Sequence, residues 1–189
     1  LKIYTGGGDR GKSSLFSGER ITKSDDRIEA YGDVDELNST LGALVAGLPA
    51  QQSRSIEEIH RIQSDLFHIG SWLATTPGAA NIAMLQAINE NHIKFLESAI
   101  DRMDKELPAL SGFILPGGHM TAARAHVARA VCRRTERHVV KLFETFSGNP
   151  LPEFLQLLLT YLNRLSDYLF VLARYCNKSM GIQDTPWKP

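Results

Sequence analysis

Along most of the chain the apolar residues recur every three or four positions, the spacing of helices that bury one stripe. Leu37, Leu41, Leu44, Val45 and Leu48 share such a stripe and predict a first helix from about Asp26 to Gly47. Gly32 weakens its opening turns and Pro49 ends it. A second helix is expected from Ser55, which makes a capping box with Glu58, and Ile59, Ile62, Leu66, Ile69 and Leu73 carry its stripe. Thr75-Thr76-Pro77-Gly78 stops it. The third runs from about Met84 to Leu107 on Ile88, Ile93, Leu96, Ile100 and Met103, and Pro108 closes it. Residues 109–118 read as a loop. A fourth helix follows to about Phe146, and the turn Gly148-Asn149-Pro150 separates it from a fifth, Pro152 to Lys178, where Pro152 suits a first turn. Five long helices with short connections predict an all-α, antiparallel five-helix bundle in one domain, with strand content close to nil.

The two ends depart from this pattern. Residues 1–24 hold Gly6, Gly7, Gly8, Gly11 and Gly18 with several Ser and Thr, and their only strand-like piece is Leu1 to Thr5. They read as a glycine-rich arm outside the core, ahead of a bundle spanning 25–180. Residues 181–189, with Pro186 and Pro189, read as a tail.

Composition narrows the class. With 189 residues, 43% hydrophobic and 22% charged, the chain has the makings of one globular domain with a sizeable core. Lys plus Arg is 21 and Asp plus Glu is 21, which gives no general electrostatic grip on nucleic acid. No apolar run approaches the roughly 20 residues of a membrane span, and no signal-peptide pattern opens the chain. Cys132 and Cys176 lie far apart in helical patterns and match no zinc spacing, so a reducing, cytoplasmic setting is expected.

Three places carry candidate chemistry. Gly6 to Ser13 fits the form G-x-x-x-x-G-K-[ST], in which glycines let backbone N–H groups converge on an anion. Lys12 and Arg10 add charge; Ser13 and Ser14 add hydroxyls. No buried strand precedes this segment and no helix follows it at once, so phosphate binding is kept and the P-loop fold rejected. In the fourth helix Arg129, Arg133 and Arg137 fall four apart on one face, with Arg134 beside them and only Glu136 as local compensation. They form either a solvated face or a claim on anions, whether Asp33, Asp35 and Glu36 or a ligand. Asn163 lies with Arg164 and Asp167 among leucines, as a core amide or a ligand contact. The six histidines are scattered, and no serine nucleophile, carboxylate dyad or metal triad stands out. Phe113, in a Pro-Gly loop, would by default plug the core.

Taken together and in order, Tyr4 to Gly11, Glu29 to Ser39, Phe113 to Gly118, Ala128 to Arg137 and Leu162 to Phe170 resemble the PduO-type ATP:corrinoid adenosyltransferases over nearly the whole chain. The resemblance implies a trimer with ATP and cobalamin bound where subunits meet, and transfer of the 5′-deoxyadenosyl group of ATP to cob(I)alamin, giving adenosylcobalamin and triphosphate. Reduced cobalt is then the nucleophile, so the lack of a protein nucleophile is expected. The resemblance assigns ATP to Thr5, Gly6, Gly7, Gly8, Ser13, Ser14 and Lys23 of the arm, to Arg133, Arg134, Glu136 and Arg137, and to Asn163. Arg133 and Mg²⁺ would ease departure of the triphosphate, with the metal ligands unassigned. Asp35 and Arg129 resemble a salt-bridged pair across the subunit interface. Phe113 resembles the residue beneath the corrin that excludes the lower axial ligand, which makes it catalytic together with Arg133. The family usually has Lys where Gly6 stands, and Lys12 is the candidate to replace that charge. A cobalamin reductase and an adenosylcobalamin-dependent enzyme are the protein partners such a reaction calls for. The competing reading is an ATP-binding helical sensor or regulatory bundle without turnover, which would have no need of Phe113.

Overall fold

The computed structural model describes residue 4 and residues 6–146 and 153–188. Five helices dominate: α1 (Asp26–Val45), α2 (Ser53–Leu73), α3 (Glu90–Asp104), α4 (Met120–Glu144) and α5 (Glu153–Ser179). Two antiparallel pairs of short strands accompany them, β1 (Lys12–Ser14) with β2 (Arg20–Thr22), and β3 (Ile114–Leu115) with β4 (Thr185–Pro186). The turn at 148–150, Pro152 and the segment from Leu1 to Ile3 lie outside the described residues, as does Thr5.

The stripes read from the sequence are the buried ones. Leu37, Leu41 and Leu44 meet Ile59, Ile62, Leu66 and Ile69 in a core completed by Leu96, Met103, Leu162, Leu165 and Leu169. α4 packs against both α1 and α5, with α2 behind α1 and α3 behind α5. Asp25 caps α1 by accepting from the Arg27 amide at 2.9 Å, and Asp26 and Glu29 place negative charge in its first turn. The buried Arg27 guanidinium donates to the carbonyls of Leu73 and Thr75 at 2.7 and 3.0 Å. It thereby satisfies carbonyls that the end of α2 leaves without helical partners.

Two boundaries differ from expectation. No Ser55–Glu58 capping box forms: a 3₁₀ turn at Ala50–Gln52 leads into the helix at Ser53, so Ser55 already lies inside it. Glu58 faces the core instead, accepting two 2.8 Å bonds from Arg102 and one of 3.3 Å from the Tyr168 hydroxyl. The third helix starts at Glu90 rather than Met84. Asn89 caps it with His92 closing the box, and Ile88 is buried without being helical. Its apolar spacing mimicked an earlier turn.

The ends are also more ordered than an arm and a tail. Leu15 is buried, the Phe16 amide donates to Ala74 O at 2.9 Å, and Asn81 donates to Phe16 O at 3.0 Å. This pins the arm to the end of α2. At the other terminus Asp184 pairs with the buried Arg174 at 2.7 Å, while Arg174 also donates to Pro108 O. Strand content is small but not nil, because these two attachments are where the strands form.

Candidate functional site

The glycine run of the arm curls through two successive turns, with Asp9 N bonded to Gly6 O and Gly11 N to Gly8 O, both at 3.3 Å. Gly6 and Gly11 take φ of 69° and 71°, where side chains other than glycine are strained. A Cβ added to Gly8 would sit 3.3 Å from the Lys23 ammonium, so glycine lets that charge lie over the backbone. Arg20 donates to Gly7 O, and the Lys23 amide donates to Gly11 O at 2.9 Å. The result is a small basic hairpin with exposed backbone, suited to an anion. Lys12 begins β1, so a strand rather than a helix follows the glycines, as rejection of the P-loop fold requires. Ser13 approaches the Tyr31 hydroxyl at 3.4 Å, which sets the hairpin beside the start of α1. Ser14 and Lys23 are exposed.

The arginines of α4 divide. Arg134 is held by α1, with Nε 3.4 Å from Asp33 and a second bond to Glu36. His138 joins this seam at 2.5 Å from Asp33, and Lys141 pairs with Asp26 at 2.7 Å. Of the three carboxylates expected as partners for the stripe, Asp33 and Glu36 are real partners, but of the flanking Arg134, and Asp35 pairs with none of its arginines. Arg133 is exposed, and among the described residues its side chain has no ion pair or hydrogen bond. Arg137 folds back to donate to Arg133 O at 3.0 Å. Glu136 accepts from Asn163 at 3.3 Å, so this corner joins α4 to α5. Asn163 is exposed, which excludes the core amide. None of Ser13, Ser14 and Lys23 bonds to Arg133, Glu136, Arg137 or Asn163 within the chain. Asp35 is exposed and unpaired with Arg129, whose Nε is buried without a partner.

Phe113 is not a core plug. Its ring is 80% exposed and meets Trp187 edge-on at 6.3 Å between centroids. Its backbone is nonetheless fixed, because Trp187 N donates to Phe113 O at 2.8 Å and Ile114 pairs with Pro186. Asn177 braces the far end of the loop, donating to Gly117 O at 3.0 Å and accepting from His119 N at 2.9 Å. Gly118 has φ 99°, and a Cβ there would clash with the Asn177 side chain. Two hollows flank the ring. One, of about 620 Å³, lies between the loop, Arg174 and the C-terminal strand; the other, of about 470 Å³, is walled by Phe113, Ile114, His126, Arg129 and Phe170.

Arg20, Tyr31, His126 and Trp187 were not among the residues expected from the sequence. Arg20 and Tyr31 become relevant only once the hairpin closes, and Trp187 only once the tail pairs. Neither cysteine is available for chemistry. Burial pushes the Cys176 thiol up to about 11 and that of Cys132 higher still. Among the described residues no group of three or more His, Cys, Asp or Glu side chains is placed to hold a metal ion, and no helix is long and apolar enough to cross a membrane.

Comparison with known proteins gives a consistent result. The family described as cobalamin adenosyltransferase matches residues 3–176. The chain is 41% identical over 189 residues to the corrinoid adenosyltransferase MMAB of Bos taurus, covering 99% of this chain and 76% of that one. It is 39% identical over 190 residues to the corrinoid adenosyltransferase of Bacillus subtilis (strain 168), covering 100% and 93%. A phenylalanine-to-alanine variant of the PduO-type ATP:corrinoid adenosyltransferase from Lactobacillus reuteri, solved with cobalamin and ATP, superposes with a TM-score of 0.89 at 35% identity, covering 100% of both chains. An arginine-to-lysine variant of the Lactobacillus reuteri PduO-type enzyme, solved with ATP, gives a TM-score of 0.87 at 35% identity, covering 98% of this chain and 100% of that one.

Proposed function

We infer the working parts of the site from one premise: the chain belongs to the cobalamin adenosyltransferase family. It transfers the 5′-deoxyadenosyl group of ATP to the cobalt of cob(I)alamin and releases triphosphate. Cobalt attacks the 5′-carbon, the C–O bond to the triphosphate breaks, and the bonding pair leaves with the oxygen. The protein supplies no nucleophile, which accords with two buried, protonated thiols; its work is to orient the substrates and stabilise charge.

The observation that carries the reading is Phe113: a large apolar ring held out beside a hollow by a fixed backbone. An exposed aromatic in a braced loop wants a flat apolar partner, and a corrin face is one. Packed there, the ring would keep a lower axial ligand off cobalt and so favour reduction to the nucleophilic state. The basic hairpin of Gly6, Gly7, Gly8, Ser13, Ser14 and Lys23, with Lys12 and Arg20, would wrap the triphosphate, together with Thr5, which precedes it in the sequence. Arg133 and Arg137 would meet the leaving charge, with Glu136 and Asn163 fixing the nucleotide. Arg134 can join them by giving up Glu36, the more exposed of its two carboxylates.

The hairpin and the Arg133–Asn163 corner do not bond to each other within one chain. A homotrimer in which one subunit's hairpin faces the next subunit's α4 would assemble the site, with Asp35 and Arg129 pairing across the same seam. Since no carboxylate or histidine cage is present among the described residues, Mg²⁺ would enter on the triphosphate oxygens, which commonly supply most of its protein-site anchoring. A reductase must supply the low-valent corrinoid and an adenosylcobalamin-dependent enzyme would take the product. Two reduced thiols suit a cytoplasmic setting.

Incubation with ATP and chemically reduced cobalamin, followed by corrin absorbance, tests the activity directly; no spectral conversion would sink it. Arg133→Ala should cut turnover roughly 100-fold or more, the size of one electrostatic donor to a leaving charge. Wild-type turnover and ATP affinity in that variant would remove Arg133 from the site. The rival, a sensor without turnover, has no observation in its favour against whole-length kinship to named transferases.

A further inference from the structure

His126 sits two turns into α4 and is only 5% exposed. Neither of its ring nitrogens has a hydrogen-bond partner among the described residues. One face of the ring is closed edge-on by Phe170 at 6.1 Å. The residue also lines the 470 Å³ hollow whose rim carries Phe113. A buried imidazole without partners is costly, since both of its nitrogens have lost water and gained nothing. Such a group is retained at little expense only if something that visits the hollow completes it.

The surroundings set what that visitor can be. Burial, and then the nearby Arg129 charge, hold the ring neutral. A neutral imidazole offers one N–H donor and one bare acceptor nitrogen. A carboxylate would meet only half of this and would pair with Arg129 instead. A primary amide has N–H donors for the bare nitrogen; because the two ring nitrogens point apart, one amide meets one of them. Corrins of the cobalamin type carry acetamide and propionamide arms around the ring edge. A corrin lying flat against Phe113 would direct such arms into the walls on either side.

We propose that His126 is a corrinoid-binding residue, its imidazole hydrogen-bonding a peripheral amide arm of the corrin packed against Phe113. This rests on the corrinoid-transferase reading above and adds a basis for choosing amidated corrins over esterified ones. A methyl ester keeps an acceptor oxygen but has no N–H to donate, so the bare imidazole nitrogen would stay unsatisfied.

The test compares KM for reduced cobalamin and for a reduced corrinoid whose peripheral amides are methyl esters, in the wild type, His126→Gln and His126→Leu, with ATP affinity measured separately. Wild type should favour the amide corrinoid, and His126→Leu should lose about tenfold of that preference, the size of one hydrogen bond, with ATP affinity unchanged. His126→Gln, which keeps a donor and an acceptor, should retain most of it. A leucine variant with the wild-type ratio overturns the proposal and returns His126 to packing. Should the leucine variant fail to fold, the wild-type ratio decides: equal KM for the two corrinoids overturns it, and a preference that His126→Gln preserves supports it. Failure of the wild type to adenosylate either corrinoid would instead remove the transferase reading itself.

Discussion

Truncating Phe113 to alanine opens no hole in the bundle, because the ring is packed mainly against Trp187 and solvent. The roughly 3–5 kcal/mol lost when a core phenylalanine is removed does not apply. We expect Phe113→Ala to lower stability by less than about 1 kcal/mol in urea, while four-coordinate cob(II)alamin, read from its spectrum, largely disappears at unchanged ATP affinity. An early-melting variant that keeps the four-coordinate signal would return the ring to a structural role. His126 sets a pH dependence of its own. The folded state holds its pKa below 6.5, chiefly by burial and then by Arg129, opposed only by a weaker pull from Asp184. The 110–116 loop and Phe170, which also face it, carry no charge. Above pH 6.5 both states are neutral there. As pH falls below 6.5 the unfolded chain binds the proton that the folded chain refuses, so stability is lost toward acid. The stability advantage of wild type over His126→Gln should therefore be flat above pH 7 and decline below about 6.5, by at most about 1.4 kcal/mol per pH unit. Phe113 could be singled out because it stands in a recognisable loop, but its exposure was not legible, since a phenylalanine in a Pro-Gly loop reads by default as a core plug. His126 was not, since a lone histidine in an amphipathic helix does not announce which wall of which hollow it forms.

At the scale of elements, helices were legible wherever burial and period agreed. They failed where a residue was buried for another reason: Ile88 packs from an extended segment, and Glu58 has an ion-pair partner 44 residues away that no local pattern could disclose. The strands were illegible because each is two or three residues long and exists only through its partner. Attachment of the arm at Leu15 bounds what ATP can order. Hydrogen exchange should slow on ATP addition at residues 6–11, which are held by long turn bonds, and stay constant across 15–22, which are already tied to Ala74 and to each other. A uniform change along 6–22 would mean that the whole hairpin moves, and ordering it would cost about 1–2 kcal/mol for each added residue.

For the whole molecule, the bundle was legible from periodicity, but the distribution of the candidate site residues over it was not. Arg133 and Lys23 are both exposed cations, and only the structure shows that no hydrogen bond or ion pair joins the hairpin to the Arg133–Asn163 corner among the described residues. If the site forms between subunits, Lys23→Ala and Arg133→Ala chains, each nearly inactive alone, should recover about one quarter of wild-type activity when unfolded together and reassembled in equal amounts, because one directional interface in four joins two intact halves. No recovery would place the whole site within one chain.

The two tryptophans stand at opposite ends of this architecture. Trp72 stacks on Phe154 at the start of α5 and donates to Gln86 O, whereas Trp187 follows the end of the same helix and touches Phe113. α5 has 27 residues, so about 40 Å of helix separates its two ends. Corrins absorb in the near ultraviolet, where tryptophan emits, and energy transfer falls steeply with distance. If the corrin packs on Phe113 as proposed, Trp187 is a built-in fluorophore for its arrival, and Trp72 an internal standard that stays bright. In a Trp72→Phe chain the remaining emission becomes a single optical probe of Phe113 and its cargo, readable during turnover without any added label.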